Sequence, residues 1–240
     1  MSSTLEKTSI PLTFNKISKR YDLVNRILSF GIDLYWRKKV HRYLPIHPSI
    51  RLLDLATGTA DQIISIMNAT RNVKSVIGID LAADMLSIGK RKIQHKPYSH
   101  QISLLEADAC SLPLNEDTVD CVTMSFGIRN VPDVQKCMRE MHRVLAHRGR
   151  ALILEFSMPK NNLVRFFHLF YLRKILPVIG GLLSRNKDAY TYLNKTIEAF
   201  PSGKTFCALL EEAGFTNVQA VPLTFGIATL YIAEKRVHGS

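Results

Sequence analysis

Residues 50–70 read IRLLDLATGTADQIISIMNAT. The first seven are apolar apart from Arg51 and Asp54, the middle is a run of small residues, and the last dozen place apolar side chains at helical spacing. Such a stretch is a buried strand, a tight turn and a helix.

The same rhythm continues downstream. VKSVIGID (73–80) and AADMLSIGKRKIQ (82–94) give a second strand and helix, and QISLLEA (101–107) and TVDCVTMSF (118–126) two more strands. VPDVQKCMREMHRVL (131–145) reads as a helix and RALILEFS (150–157) as a strand. Apolar strands alternating with helices predict an α/β fold, a Rossmann-like, doubly wound and mostly parallel sheet. Further on, TFCALLEEAGF (205–215) is a helix closed by Gly214. The longest uncharged stretch, Ala213–Ala233, contains Asn217, Gln219, Pro222 and Gly226. It reads as two antiparallel strands turning near Thr224–Gly226, not as a membrane span.

Two flanking pieces differ from this core. Phe14, Ile17, Tyr21, Val24 and Leu28 form one apolar stripe of a helix over 13–30, started by Thr13 and ended by Gly31. Asp33 is placed to cap a second helix, LYWRKKVHRYL, which Pro45 stops. Residues 158–203 interrupt the core with aromatics and leucines interleaved with Arg165, His168, Arg173 and Lys174. Only ten uncharged residues separate Lys174 from Arg185, too few to span a bilayer. The expected organisation is one domain over 1–240: an N-terminal helical cap (1–49), a core (50–157 and 204–240) and a basic amphipathic helical insertion (158–203).

The net charge of +12 is unevenly spread. Residues 1–49 hold nine Lys/Arg against three Asp/Glu, residues 158–205 eight against two, and the rest fifteen against fifteen. Nucleic acid and anionic membrane are the usual partners of such surfaces, and solvated helix faces the ordinary alternative. The N-terminus has no apolar signal core, so no secretory leader is expected. The four cysteines are scattered, without a CxxC pair, and read as reduced thiols of a cytoplasmic protein. His142 and His147 lie five apart with no HExxH, and no metal is assigned.

The turn LLDLATGTAD (52–61) marks where a nucleotide-like ligand lies in a doubly wound fold. It lacks GxGxxG, and Asp54 and Asp61 would repel a pyrophosphate. S-adenosylmethionine, with an adenosine, no phosphate and a positive sulfonium, suits those acids around Gly58. Asp80 ends the second strand 22 residues after Gly58, where a carboxylate accepts both hydrogens of a ribose diol. Asp84, one turn on, reads as a helix N-terminal charge. Asp108 is placed for an adenine amino group, the Ala109 backbone for the ring, and Ser125 faces the same crevice.

YDLVNRILSFGIDLYW (21–36), LDLATGTAD (53–61), SFGIRNVPD (125–133) and RVLAHRGRALILEFS (143–157) resemble the demethylmenaquinone and ubiquinone-biosynthesis C-methyltransferases. The resemblance runs from about residue 12 to the C-terminus. It implies a seven-stranded sheet with its last strand antiparallel, and cofactor contacts at Thr59, Asp80, Asp108, Ala109 and Ser125. This chain departs from the family at Val24, Asp33 and Ala60, the last replacing a loop glycine, and in AHRG (146–149), which stands for a Lys-Pro-Gly-Gly turn.

The implied acceptor is a ring carbon of a reduced isoprenoid quinone, with naphthoquinone and benzoquinone both open. Arg129 is then the candidate to meet a phenolate, and Asn130 to orient it or hold the oxygen. Tyr21 and Asp22 are a candidate proton relay. The competing reading of Arg129 is a salt bridge to a helix carboxylate such as Asp133, and Tyr21 also belongs to the apolar stripe of its helix. A polyisoprenoid substrate gives the basic segments a purpose: peripheral binding at the inner membrane face. Aromatics set among leucines favour lipid over nucleic acid. A methyltransferase of the same fold acting on RNA or another small molecule, and a non-catalytic scaffold, are the rival readings. Monomer and homo-oligomer both stay open on the sequence.

Overall fold

The computed structural model describes Arg26 and residues 29–178 and 194–236. Seven strands, β1 (Ile50–Leu55), β2 (Val73–Asp80), β3 (Ile102–Glu106), β4 (Val119–Ser125), β5 (Leu145–Phe156), β6 (Phe215–Leu223) and β7 (Ala228–Lys235), form one sheet. Their order is β3-β2-β1-β4-β5-β7-β6, with β7 antiparallel to both neighbours and the other adjacent pairs parallel. The expected seven-stranded sheet with an antiparallel last strand is therefore present. The strand order reverses at β1, which pairs with β2 on one side and β4 on the other. That reversal opens a crevice beyond the carboxyl ends of β1 and β4.

Helices α1 (Ile32–Val40), α2 (Asp61–Ala69) and α3 (Ala83–Ile93) are joined further along by α4 (Val134–Val144), α5 (Asn162–Phe170) and α6 (Lys204–Glu212). Both faces of the sheet are covered, because successive strand residues point to opposite sides. Leu52, Leu152 and Leu154 pack with Trp36, Ile63 and Ile66 in one apolar layer. Leu53, Ile153 and Val122 pack with Cys137, Met138, Met141 and Phe206 in the other. Ile63, Ile66 and Met67 on α2 are three and four apart, so a single face of that helix turns inward.

Local readings need correction at several points. Asp33 does not cap α1; Gly31, at φ 73°, precedes the helix and its N–H returns to the Arg26 carbonyl at 2.8 Å. The Asp33 carboxylate is instead buried beside Arg26. AHRG is no separate turn before β5. The strand starts at Leu145, and its register slips between the pairs Val119–Leu145 and Cys121–Arg150, with Arg148 at φ 62°. Asp84 lies in the first turn of α3, as expected. The four cysteines are free, and Cys110, Cys121 and Cys137 are buried.

Within the insertion, α5 runs into a π-helical turn (Tyr171–Ile175), and residues 194–199 are helical. Among the described residues no helix is long and apolar enough to cross a membrane. The helix expected over 13–30, with Tyr21 and Asp22, lies outside the described residues except at Arg26 and its last two positions.

Candidate functional site

The loop after β1 curls because three of its residues adopt positive φ: Ala56 (48°), Gly58 (55°) and Ala60 (65°). Glycine takes that conformation freely; an alanine pays for its Cβ, by about 1 kcal/mol or more. Gly127, beyond β4, answers a different need. A Cβ there would sit 2.5 Å from the Cβ of Ala56, so only glycine lets the two strand ends approach.

Two carboxylates hold this loop. Asp54, 1% exposed at the end of β1, accepts the hydroxyls of Thr57 (2.6 Å) and Thr123 (2.5 Å). Burial pushes its carboxyl up to about 6, against the pull of those hydroxyls and of Arg37. Asp80, at the end of β2, accepts the N–H of Gly58 at Oδ2 and of Ala82 at Oδ1, each at 2.8 Å. Burial raises its carboxyl too, and the N–H groups of Ala82, Gly58 and Leu81 offset part of the rise. Each Asp80 oxygen accepts one of the two 2.8 Å bonds, and the carboxylate keeps acceptor capacity for a ligand hydroxyl.

At the next strand end, Ala107 N–H donates to the Asp80 carbonyl (3.2 Å), which brings Asp108 and Ala109 to the same edge. Asp108 is exposed and accepts the Cys110 N–H at 2.8 Å. Ser125 ends β4 and donates to Gln62 Oε1 at 2.8 Å, while Gln62 Nε2 donates to the Arg37 carbonyl at 3.2 Å.

The loop after β1, the end of β4 and helices α1 and α2 border a cleft of about 430 Å³, counted with its open mouth, whose lining leaves out Asp80, Asp108 and Ala109. Asp54, Gly58, Thr59 and Ser125 line it, together with Asp33, Arg37, Asp61 and Gln62. Thr59 is buried and accepts from Lys92 Nζ at 2.8 Å. Asp61 is no open anion. Arg26 and Lys92 each reach it at 2.7 Å, and although desolvation, the largest effect, raises its carboxyl, Lys92, Arg37 and Arg26 hold it below the usual range. The case against a phosphate ligand thus rests on Asp54 and Asp80 more than on Asp61. The strand-end carboxylates, as acceptors, and the curled loop fit a cationic nucleoside.

Arg129 occupies the short 3₁₀ turn Ile128–Asn130 after β4 and is 6% exposed. Its Nη1 donates to Glu155 Oε1 and to the Phe126 carbonyl, both at 2.7 Å. The negative charge it meets is therefore Glu155, a permanent one from the neighbouring strand. Asp133, the partner considered from sequence, caps α4 by accepting the Lys136 N–H. Arg129 Nε and Asn130 Oδ1, a donor and an acceptor on consecutive residues, are buried with no hydrogen-bond partner among the described residues. An aromatic group joins this turn to the cleft: Arg129 lies over Phe156, Phe156 packs on Phe126 and Trp36, and Arg37 lies over Phe126.

Gln62, Glu155, Thr57 and Thr123 were not singled out by sequence reasoning. Glu155 carried a signal, a lone charged residue inside an apolar run (ALILEF), whereas Gln62 follows Asp61 at the start of a helix and carried little. The two threonines are ordinary residues beside a strand end and carried none.

Compared with known proteins, residues 2–235 match the model of the ubiE/COQ5 methyltransferase family. The chain is 42% identical over 222 residues to "Ubiquinone/menaquinone biosynthesis C-methyltransferase UbiE" of Geotalea uraniireducens, covering 92% of this chain and 94% of that one. It is 39% identical to "Demethylmenaquinone methyltransferase" of Thermus thermophilus, covering 92% of this chain and 99% of that one. Among solved structures, a SAM-dependent methyltransferase from Aquifex aeolicus superposes with a TM-score of 0.59 at 17% identity, over 82% of this chain and 88% of that one. Haemonchus contortus phosphoethanolamine N-methyltransferase 2, solved with S-adenosylhomocysteine, gives 0.60 at 14% identity, over 82% and 51%. At such identities the structures share the fold, which alone does not fix the substrate.

Proposed function

Because this chain belongs to the ubiE/COQ5 methyltransferase family, it is an S-adenosylmethionine-dependent methyltransferase, and we propose that its acceptor is a ring carbon of a reduced, demethylated isoprenoid quinone. One observation carries the acceptor: nearly full-length similarity to enzymes whose names specify C-methylation in quinone biosynthesis. Bound S-adenosylmethionine supplies an electrophilic methyl group. We assign its adenosine to Asp80, Asp108, Ala109 and Ser125, with Gly58 and Thr59 shaping the loop beneath. Asp54 lines the cleft while holding that loop through Thr57 and Thr123.

A ring carbon becomes nucleophilic when the neighbouring phenol loses its proton. A phenol with a pKa of about 10 costs about 4 kcal/mol to ionise at pH 7. Paired with Glu155, Arg129 brings little net charge to lower that cost. What supports its role is the unpartnered Nε, which suits a developing phenolate, beside an unpartnered Asn130 Oδ1, which suits a phenol O–H. Trp36, Phe126 and Phe156 give that region an apolar wall, which excludes water and strengthens such hydrogen bonds. Tyr21 and Asp22 stay in the proposal as a relay.

Membrane contact is part of the same reading. α5 buries His168 and turns Leu163, Phe166, Phe167 and Phe170 outward, each more than half exposed. A helix that hides a histidine and shows four large apolar side chains suits a lipid surface. Arg173, one of the cations expected to face lipid, is held by Glu198 at 2.5 Å, which leaves Arg165 and Lys174 for that task. The acceptor is tested by supplying labelled methyl donor with a panel of reduced demethylated naphthoquinones and benzoquinones, and with RNA. Label entering the quinols supports the assignment; label entering RNA alone overturns it.

A further inference from the structure

Asp80, Asp108, Ala109 and Ser125 account for the adenosine of the cofactor, but its zwitterionic amino-acid tail has no partner among them. We propose that Arg37 binds the α-carboxylate of that tail, an assignment that rests on the S-adenosylmethionine reading above. Arg37 lines the cleft from α1. Its Nε is buried without a hydrogen-bond partner among the described residues. Asp33 Oδ2 lies 3.9 Å from that Nε, within reach of charge but too far for a hydrogen bond. A buried donor left unpaired is costly, and a carboxylate completes the planar fork of a guanidinium.

The surroundings fix where this fork stands. Its guanidinium carbon lies 5.2 Å from the centre of the Phe126 ring. Its backbone carbonyl accepts from Gln62, whose other end holds Ser125. Arg37 is thereby registered to a residue of the adenosine site. Asp33, Asp54 and Asp61 line the same cleft; Arg26 and Lys92 offset Asp33 and Asp61, so Asp54 is the acid that chiefly disfavours a bare anion there. A zwitterion resolves the conflict, with its ammonium toward the acids and its carboxylate on Arg37.

Three nucleosides separate this assignment from its rivals in calorimetric titrations. S-adenosylhomocysteine has the whole tail, its decarboxylated analogue lacks only the carboxylate, and 5′-methylthioadenosine lacks the amino-acid tail altogether. The wild-type protein should bind S-adenosylhomocysteine tighter than the decarboxylated analogue by on the order of 10- to 100-fold, the range of a charged hydrogen-bond pair. Arg37→Gln should lose about that factor for S-adenosylhomocysteine and keep its affinity for 5′-methylthioadenosine. Arg37→Lys should recover part of the loss. Equal weakening of both ligands in Arg37→Gln would make Arg37 a structural ion-pair residue and overturn the assignment. Should that variant fail to fold, the wild-type comparison decides: no discrimination against the decarboxylated analogue overturns it as well. A wild-type protein that binds none of the three removes the cofactor reading, and this assignment with it.

Discussion

Replacing Glu155 by glutamine keeps the shape of the side chain and removes its charge, leaving Arg129 as a cation in a nearly closed site. Arg129 is 6% exposed and Glu155 1%, so water cannot take over the missing interaction. In the wild-type protein Glu155 Oε1 accepts from Arg129 Nη1 at 2.7 Å and from its own neighbour, the Phe156 N–H, at 2.8 Å. The glutamine oxygen can keep the second bond, but not the charge of the first. Breaking a buried pair from one side costs about 3–5 kcal/mol. For a chain of this length each kcal/mol moves the melting temperature by about 2–4 °C, so a fall of roughly 6–20 °C is expected. Arg129→Met should cost a similar amount, because it strands the carboxylate. The double variant removes both charges, and should be more stable than the two single losses predict by about 2–3 kcal/mol. Urea denaturation of the four proteins measures that coupling. Additivity to within about 0.5 kcal/mol would refute the buried pair as the reason for a cation beyond β4. Turnover of the folded fraction separates structure from chemistry. If Arg129 Nε also meets the acceptor oxygen, Arg129→Met should lose about 100-fold in kcat; normal turnover would leave it only the ion pair.

Asp54, raised by burial from 3.8 to about 6, favours the folded state most when protonated. Its contribution is complete only below the unfolded value and is lost as pH rises through 6, roughly 3 kcal/mol in all, so wild-type stability should fall by about 2–2.5 kcal/mol relative to Asp54→Asn between pH 4 and 7. A constant difference in denaturant unfolding across those pH values would show that the carboxyl does not titrate this way. Gly127→Ala forces a Cβ to within 2.5 Å of Ala56 and 3.1 Å of Met124 Cε. It should cost about 1–3 kcal/mol in unfolding and weaken S-adenosylhomocysteine binding, and unchanged values for both would contradict the close approach. Replacing Phe166 and Phe167 by aspartate should reduce co-sedimentation with anionic vesicles at least about tenfold, since each buried phenylalanine is worth about 1.5–3 kcal/mol. Unaltered binding would move the lipid contact away from α5.

The core was legible because both faces of the sheet are buried, which makes each strand a short apolar run bounded by turn residues. VKSVIGID coincides with β2 from end to end, and the turn at Thr224–Gly226 lies where the small residues placed it. Irregular hydrogen bonding was harder to read. The start of β5 was missed because Leu145 and Arg150 belong to one strand across a register slip, which leaves no apolar period to follow. The strand-end acids Asp54, Asp80 and Asp108, to which we assign the cofactor, could be picked out because acids stand out against apolar runs. Partners distant in sequence were not. Arg129 and Glu155 are 26 residues apart, and only the parallel pairing of β4 with β5 brings their strand ends together. Asp33 was misread as a cap because local sequence shows a helix start, whereas its true partner Arg26 is set by the fold of the preceding turn.

The central claim is C-methylation of a reduced quinone, and the position of the transferred methyl tests it most directly. The protein is supplied with S-adenosylmethionine carrying a ¹³C methyl group and with a demethylated quinol, kept reduced, and the product is examined by carbon NMR and mass spectrometry. The account predicts a labelled methyl bonded to a ring carbon, with loss of the ring hydrogen at that position and no product from the oxidised quinone. A methyl on oxygen, or equal turnover of the oxidised quinone, would contradict it.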